Sequence, residues 1–276
     1  MLGPDVDRLR CGTNSFQFVA EAPLSKHYLN SPGLSNANQR VVLSAWARSL
    51  DVDARLFHRA NEGETAPRRF EILAGPELDD WDPNTVTFIQ LFNISILYGP
   101  PWFLKAARDI DDEILALEST MLRLGYEAGA RSLGEELIYY AEDIPFYDDA
   151  QLNVTSQSRD ARRLEAACPP DDTFAMPIDA LDHYFTISAF GQGAEPIAGA
   201  GYDVFADTVG QLEVLVAAAQ RGKGYGTFML ARAAEECMFD GLLPQFVIPL
   251  GDEIGEHMAN DVGFILSGFR TSVTFD

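Results

Sequence analysis

The sequence contains few cysteines and few basic residues. Its three cysteines, Cys11, Cys168 and Cys237, lie far apart and form no C-x-x-C spacing. We therefore expect neither a disulfide framework nor a bound metal. Lysine and arginine together number 20 against 42 aspartates and glutamates, and both halves of the chain share the formal net charge of −22 equally. A surface this acidic repels phosphate groups, so we expect no binding to nucleic acid or to membranes.

Long apolar runs are also missing from this sequence. None approaches the roughly 20 residues that a membrane-spanning helix needs. The chain does not begin with a basic stretch followed by an apolar one, as a secretory signal would. We therefore expect a cytoplasmic protein. The composition is nevertheless 47% hydrophobic and 11% aromatic, which is enough for a folded core, and 276 residues favour two domains.

Residue patterns in the N-terminal half predict helices and strands but indicate no chemistry. Apolar residues at helical spacing predict helices over residues 38–50 and 102–124, and a further short helix is expected near residues 131–140. Runs rich in β-branched and aromatic residues predict strands over residues 69–73 and 85–98. The chain turns polar between residues 142 and 172. We place a boundary near residue 150, which divides the chain into an α/β domain at residues 1–150 and a second domain at 151–276.

The C-terminal half has a clearer order of elements. Its pattern predicts strands over residues 183–190, 196–205, 212–216, 244–250 and 268–275. It also predicts a glycine-rich loop over residues 220–226 and helices over residues 225–239 and 256–266. Antiparallel strands followed by alternating helices and strands predict a mixed α/β fold, in which helices flank a mixed sheet.

The loop RGKGYG at residues 221–226 is the segment most suited to chemistry. Its alternating glycines remove side chains from one face of the backbone. The helix that follows has unsatisfied amides in its first turn and the positive end of its dipole, a combination that binds pyrophosphate. The nucleotide-triphosphate motif is excluded because no Ser or Thr follows Lys223, and the spacing G-x-G-x-x-G is not present either. The alternative is an ordinary glycine-rich connection between a strand and a helix.

The loop also resembles a known motif. Arg221, Gly224 and Gly226 fit the pattern Gln/Arg-x-x-Gly-x-Gly/Ala, which is similar to the acetyl-coenzyme A loop of the GNAT superfamily of N-acetyltransferases. The preceding strand at residues 212–216 looks like the fourth strand of that family, whose end splays from its neighbour. The resemblance therefore covers both the loop and the strand before it.

The end of the chain extends this resemblance. The spacing from Asn260 through Phe264 to Gly268 and Phe269 is similar to the terminal helix and Gly-Phe ending of the GNAT family. Together the motifs cover about residues 155–276. They imply a GNAT-like fold for the C-terminal domain, and the N-terminal α/β domain could be a partial or degenerate copy of it.

The resemblance implies that acetyl-coenzyme A is the acyl donor and which residues bind it. Backbone amides would hold its pyrophosphate, at Arg221, Gly222, Lys223, Gly224, Tyr225 and Gly226. Leu215 and Val216 would pair with the pantetheine arm like an extra strand, and Asn260 would lie near the pantetheine or the thiol. In the simpler interpretation, Asn260 is a polar residue of a helix surface, and Arg221 and Lys223 are solvated loop residues.

The chemistry requires an amine that loses a proton before it attacks the thioester. Glu213 is our candidate for the base, because it alternates with Leu212 and Val214 and so points away from the face that they share. The alternative is a strand glutamate that simply faces solvent. Four acidic residues near strand ends could hold a cationic amine or be ordinary surface charge: Asp203, Asp207, Asp252 and Glu253.

The resemblance fails at the group that protonates the leaving thiolate. Many family members have a tyrosine at this position, and this sequence has Phe264. Tyr225, Tyr202 or His257 could supply the proton instead. The thiolate could also leave unassisted, because a thiol with a pKa of about 8.5 is a fair leaving group.

These features predict transfer of an acetyl group from acetyl-coenzyme A to a primary amine of a small molecule or peptide, by direct attack in a ternary complex. Residues 1–150 would then wall the acceptor side, and the chain could form a homodimer. The alternative is a non-catalytic sensor or interaction module that binds coenzyme A. A phosphate-loop nucleotide enzyme is disfavoured because the residues that would hold magnesium are missing.

Overall fold

The computed structural model describes residues 33–63, 69–75, 78, 81–145, 152–170, 177–191 and 193–275. Cys11 and the irregular lead-in expected for the first thirty residues lie outside these ranges. The boundary expected near residue 150 also falls outside them. The division into residues 1–150 and 151–276 therefore stays a prediction.

The described residues form eight α-helices and ten β-strands. The helices are α1 Asn36–Ser49, α2 Ala54–Asn61, α3 Pro101–Ala107, α4 Asp112–Leu115, α5 Glu118–Leu124, α6 Ser158–Ala166, α7 Tyr225–Phe239 and α8 Glu253–Val262. The strands are β1 Phe70–Leu73, β2 Thr85–Leu91, β3 Ile94–Gly99, β4 Arg131–Tyr140, β5 Asn153–Thr155, β6 His183–Ser188, β7 Pro196–Phe205, β8 Val209–Val216, β9 Leu243–Pro249 and β10 Ile265–Thr274. None of the helices in the described ranges combines the length and apolar character needed to cross a bilayer.

All strands of the described residues join one mixed sheet, in the order β1-β3-β2-β10-β4-β9-β8-β7-β6-β5. The pairs β1–β3 and β8–β9 are parallel, and the pairs on either side of β4 and β7 are antiparallel. Helices pack on both faces of this sheet. The predicted mixed α/β fold, with helices flanking a mixed sheet, is confirmed.

The two halves of the chain exchange strands in the centre of the sheet. Strand β4 comes from the N-terminal half, yet it lies between β9 and β10 of the C-terminal half. Strand β10 in turn lies between β4 and β2. Each half therefore completes the hydrogen bonding of strands that belong to the other half.

Alternating side chains assign the helices to the two faces of the sheet. On β8, Val209 packs in one core cluster with α1 and α2, and Leu215 packs with α6. We call this side the α1 face. Leu212 points the opposite way and packs with α7 and α8, and we call that side the α7 face. Helices α3 to α5 pack on the α7 face as well, because Phe269 contacts their cluster and that of Leu212.

Several predicted elements of the C-terminal half are confirmed. Strand β7 and helix α7 have the predicted bounds, and the other predicted strands and the last helix are shifted by a few residues. The polar stretch at residues 142–172 contains β5 and α6, which the pattern did not predict. The N-terminal half needs larger corrections.

The predicted strand over residues 85–98 is a hairpin of β2 and β3. Its turn contains Phe92, whose φ of 50° is left-handed, and Asn93, whose side chain donates to the Asn61 carbonyl at 3.0 Å. The predicted helix over residues 102–124 is three short helices. Buried Arg69 donates to the carbonyls of Ala107 at 2.9 Å and Ile110 at 3.3 Å. These hydrogen bonds replace those of a continuous helix, so α3 ends there.

The predicted helix over residues 131–140 is wrong, because these residues form strand β4. The strand is buried on both faces from Leu137 to Tyr140. Pairing with β9 and β10 on its two edges satisfies its backbone and outweighs the local pattern. The consecutive apolar residues ending in two tyrosines are typical of a strand buried on both faces.

Candidate functional site

The glycine-rich loop connects the end of β8 to the start of α7. Gly222 has a φ of 73° and Gly224 a φ of 82°, a left-handed conformation that costs other L-residues about 1–2 kcal/mol. Gly224 is also the N-cap of α7, and it has no side chain with which to accept from the first-turn amides. The start of α7 therefore offers backbone donors and the positive end of a 15-residue helix.

The two basic side chains of the loop are exposed and bind nearby oxygen atoms. Arg221 donates from Nε to the carbonyl of Val216 at 3.3 Å. Lys223 donates from Nζ to Gln220 Oε1 at 2.7 Å and to the Ala219 carbonyl at 3.3 Å. Both charges therefore stay within the loop, beside the amides at the start of α7.

Strands β8 and β9 separate just before this loop. Their parallel pairing runs from Val209 opposite Leu243 to Leu212 opposite Phe246 and ends there. Strand β8 nevertheless continues to Val216, and β9 continues to Pro249. On its other edge, β8 stays paired with β7 through Val216. The predicted splay is thus present, and Leu215 and Val216 lie along the opening where an extended group could add as a strand.

Helix α8 packs closely against the start of α7 through Met258, and Asn260 lies on its exposed side. A Cβ on Gly226 would lie 2.6 Å from Sδ of Met258, so the absence of a side chain allows α7 and α8 to pack together. Asn260 is exposed and lies about 200° around the helix from Met258. His257 is exposed too, and its Nδ1 lies 2.8 Å from the Glu253 carbonyl. The role expected for Asn260, near the pantetheine or the thiol, therefore stays a prediction.

Glu213 is the first residue of β8 beyond the pairing with β9. It is half-buried on the α1 face, and the residue opposite it on β7 is Gly201. The space beside Gly201 is filled by the Leu181 side chain and the His183 carbonyl. Burial, and after it the like charges of Asp203 and Glu136, together raise the pKa of Glu213 to about 7. A carboxylate with this pKa can accept a proton near neutral pH.

Of the four acidic residues expected near the acceptor, the structure brings Asp203 to Glu213. Asp207 lies in the turn before β8 and forms an ion pair with Arg48 at 2.7 Å. Asp252 caps α8 by accepting from the amides of Ile254 and Gly255. Glu253 is exposed in the first turn of that helix. The structure gives these three residues capping or surface positions.

Sequence reasoning missed Glu136 and Arg270, which lie on the α1 face near Glu213. Glu136 is on β4, where it forms an ion pair with Arg270 on β10. The prediction of a helix over residues 131–140 concealed this position. The signal that could have revealed it is the run Leu137 to Tyr140, which is typical of a buried strand.

The tyrosines considered as acids lie in different places. Tyr202 is buried, and its hydroxyl donates to Asp240 Oδ2 at 2.5 Å, beyond the C-terminal end of α7. Burial and the Asp240 carboxylate raise the pKa of Tyr202 far above its usual range. Tyr225 is half-buried in the first turn of α7, beside the loop. Phe264 is buried against Phe246, with ring centroids 6.1 Å apart. Tyr225 therefore remains the tyrosine nearest to the loop among those considered.

Of the known proteins compared with this chain, only solved structures are similar to it. No family model and no curated protein matches this chain. The solved structures that are similar to it include a GNAT-family acetyltransferase from Colwellia psychrerythraea, at 14% identity and a TM-score of 0.41, with 56% of this chain and 60% of that chain covered. A GCN5-related N-acetyltransferase from Kribbella flavida has 16% identity and a TM-score of 0.40, with 55% and 62% covered.

A GCN5-related N-acetyltransferase-like protein from Streptococcus suis 89/1591 has 14% identity and a TM-score of 0.45, with 88% of this chain and 100% of that chain covered. This chain spans less than two thirds of the Colwellia and Kribbella chains. At these identities and TM-scores, the similarity assigns no activity to this chain.

Proposed function

We propose that this chain is a GNAT-type acyltransferase that transfers an acetyl group from acetyl-coenzyme A to a primary amine of a small molecule or peptide. The supporting observation is the coincidence of two features at one place in the sheet. Strands β8 and β9 separate beyond Leu212, and the glycine-rich loop at the start of α7 follows directly. An extended thioester arm fits the first feature, and its pyrophosphate fits the second.

The residues of this chain then have separate tasks. Backbone amides at residues 221–226 bind the pyrophosphate, with Arg221 and Lys223 beside them. The edge of β8 at Leu215 and Val216, which lies beyond the pairing with β9, pairs with the pantetheine arm. This places the thioester carbonyl near Glu213, which lies in the same stretch of β8. The N-terminal half walls the α1 face from which the amine approaches.

Acetyl transfer in this site is a single displacement. Glu213 accepts a proton from the amine, directly or through water. The amine nitrogen bonds to the thioester carbonyl carbon, the carbon–sulfur bond breaks, and the sulfur leaves with the electron pair. The thiolate leaves unassisted and takes a proton from water, since a thiol with a pKa of about 8.5 is a fair leaving group.

The second candidate function is a coenzyme A sensor without catalysis. The observation that favours it is Phe264, which cannot donate a proton and is buried in the core. Calorimetry with acetyl-coenzyme A, followed by a thiol-release assay with polyamines, amino acids, aminoglycosides and peptides, separates the two. Binding with release supports the transferase, and binding without release from any amine supports the sensor.

No binding of acetyl-coenzyme A at high micromolar concentration would contradict both functions. ATP is the control ligand, because ATP that competes with coenzyme A would favour a nucleotide enzyme instead. The cationic character of the acceptor, a homodimer and the cytoplasmic location stay predictions.

A further inference from the structure

We infer that Glu136, held in place by Arg270, is a positioning residue of the acceptor site that acts through Glu213. This inference rests on the proposed function and deepens it. It assigns part of the catalytic machinery to the N-terminal half of the chain, where sequence patterns indicated no chemistry.

Glu136 and Glu213 lie on opposite sides of the opening between β8 and β9. Strands β4 and β8 are the two neighbours of β9. Glu136 is opposite Pro249, the last residue of β9, and Glu213 directly follows Leu212, where the pairing of β8 with β9 ends. Both carboxylates therefore lie at the end of the sheet where the thioester would enter.

The two side chains also share the α1 face. On β4, Ile138 and Tyr140 pack in the cluster that contains Val209. Leu137 and Tyr139, which alternate with them, pack in the cluster on the opposite face. Glu136 lies two residues before Ile138 and therefore shares its face. Glu213 lies four residues after Val209 on β8 and shares the face of Val209 for the same reason. Strand β9, which separates them, contains no charged residue, so no charge on that strand screens one carboxylate from the other.

Arg270 fixes the orientation of Glu136. It is the residue opposite Glu136 on β10, and its Nε donates to Glu136 Oε2. Both side chains are 30% exposed. A partly buried, charge-assisted hydrogen bond of this kind restricts the carboxylate to a narrow range of positions.

The charged groups around Glu213 are few and come from identifiable elements. Asp203 faces it from β7 and Glu136 from β4, and both raise its pKa after burial has done so. Arg270 lies behind Glu136. Several cations of the helices on this face form ion pairs with other acidic residues, namely Arg40–Glu62, Arg48–Asp207, Arg55–Asp53, Arg162–Asp179, Arg163–Asp160 and Arg163–Glu195. Glu136 is therefore the acidic group of the N-terminal half that acts on the base.

As a consequence, protonation of Glu213 relieves the repulsion between its charge and the neighbouring carboxylates. Before the reaction, the negative charges of Glu213, Glu136 and Asp203 repel one another. When Glu213 takes the proton of the amine, its charge disappears and this repulsion is relieved. The ion pair with Arg270 limits the effect, so that Glu213 is still ionised in a useful fraction of molecules near neutral pH.

The test measures the pH dependence of kcat/KM in the full chain. We expect Glu136→Gln to move the acidic limb of the kcat/KM profile about 0.5 pH unit lower, because one like charge that raises the Glu213 pKa is removed. Arg270→Gln should move it higher, because Glu136 then keeps its full charge. Glu135→Gln is the matched control, since Glu135 lies on the opposite face and accepts from the Glu118 amide. It should leave the limb in place.

A second measurement does not depend on turnover. The pKa of Glu213 is followed by carboxyl ¹³C NMR in the free protein, with Glu213→Gln identifying its signal. A lower pKa in Glu136→Gln supports the inference, and an unchanged pKa overturns it. If Glu136→Gln fails to fold because Arg270 loses its partner, the double variant Glu136→Gln/Arg270→Gln replaces it. A smaller downward shift is then expected, because loss of the Arg270 charge acts in the opposite direction.

The two proposals can fail separately. A shift of the Glu213 pKa in a protein that releases no thiol would leave the electrostatic coupling in place and contradict the transferase. Thiol release with the same acidic limb in Glu136→Gln and in the parent would contradict the role of Glu136 alone.

Discussion

One strand-to-helix connection in each half of the sheet shows why the halves differ in chemistry. In the C-terminal half, β8 is followed by a glycine-rich loop and a 15-residue helix. In the N-terminal half, β3 is followed by Pro100 as N-cap and Pro101 as the first residue of a 7-residue helix. Proline has no amide hydrogen, so the start of α3 lacks donors that the start of α7 offers. The two helices begin at similar positions after a strand, but the start of α7 has more backbone donors for an anion than the start of α3.

The strands before these helices also differ, because only the C-terminal pair separates before its helix begins. Strands β1 and β3 are parallel, as β8 and β9 are, but their pairing continues from Phe70 opposite Ile96 to Leu73 opposite Gly99, where β3 ends. Strand β8 continues four residues beyond its last pair with β9. The N-terminal half therefore has neither the opening nor the donors. If it is a degenerate copy of the C-terminal half, these are the two features that it lacks.

The largest effect should come from the base. Glu213→Gln removes the group that accepts the proton, and general-base catalysis contributes about 10²- to 10⁴-fold. We expect kcat/KM to fall by about 10²-fold or more, while calorimetry shows unchanged affinity for acetyl-coenzyme A. Asp207→Asn is the control, because Asp207 is an exposed turn residue paired with Arg48. Turnover that survives Glu213→Gln would exclude Glu213 as the base.

The next effect concerns the loop and compares two glycines with the same backbone angle. Gly224 and Gly63 both have a φ of 82°, and a Cβ at either position would meet no atom within 4 Å. Alanine at both sites should therefore cost similar stability, which a thermal melt can verify. Only Gly224→Ala should weaken acetyl-coenzyme A binding, because it adds a methyl group beside the amides that would bind pyrophosphate. We expect a loss of about tenfold, which is about 1.4 kcal/mol. Equal affinities in the two variants would argue against the loop as the pyrophosphate site.

A smaller effect is expected from the loop cations. Replacing Arg221 and Lys223 by alanine should lower affinity for acetyl-coenzyme A about fivefold, and the loss should shrink at high salt because exposed charges are screened. Lys105→Ala provides the comparison, since Lys105 lies in the last turn of α3, the helix that follows β3. A salt-independent loss, or an equal loss in Lys105→Ala, would contradict a direct contact with phosphate.

The extent of sequence-based prediction also differs between the halves. Helix α7, strand β7 and the splay of β8 follow from local patterns, because hydrogen bonds and contacts in this region connect neighbouring segments. Strand β4 does not, because its pairing partners β9 and β10 lie more than 100 residues away in sequence. Glu136 was missed for the same reason: no local pattern indicates that it lies beside Arg270 and close to Glu213.

The exposure of Asn260 could not be predicted from the spacing of its motif. Its spacing matches a family pattern, but the rotation of α8 that places Met258 beside Gly226 leaves Asn260 exposed. That rotation depends on which residues of the helix are buried, here Gly255, Ala259 and Val262. The spacing of a motif along the chain does not show which face of its helix is buried.

The smallest expected effects are on stability, and they have opposite signs for two glutamates. Burial raises the pKa of Glu142 in the N-terminal half, but hydrogen bonds from Ser35 at 2.7 Å and Asn38 at 2.6 Å outweigh it, and the net pKa is lowered. The ionised form therefore stabilises the fold above the unfolded pKa, and this stability is lost as pH falls. For Glu213, the folded pKa of about 7 lies above the unfolded value of 4.5. The folded state then binds more protons, so stability falls as pH rises from about 4.5 to about 7.

Melting curves of Glu142→Gln and Glu213→Gln measure this contrast. At pH 8 we expect Glu142→Gln to lower Tm and Glu213→Gln to raise it, each by about 3 °C. The Glu213 difference should shrink as pH falls from about 7 to 4.5, and the Glu142 difference should shrink only as pH falls below 4.5. A Glu213→Gln variant less stable than the parent at pH 8 would mean that the ionised carboxylate has compensating partners. In that case Glu213 would be a structural residue like Glu142, and the difference between the halves would not extend to their carboxylates.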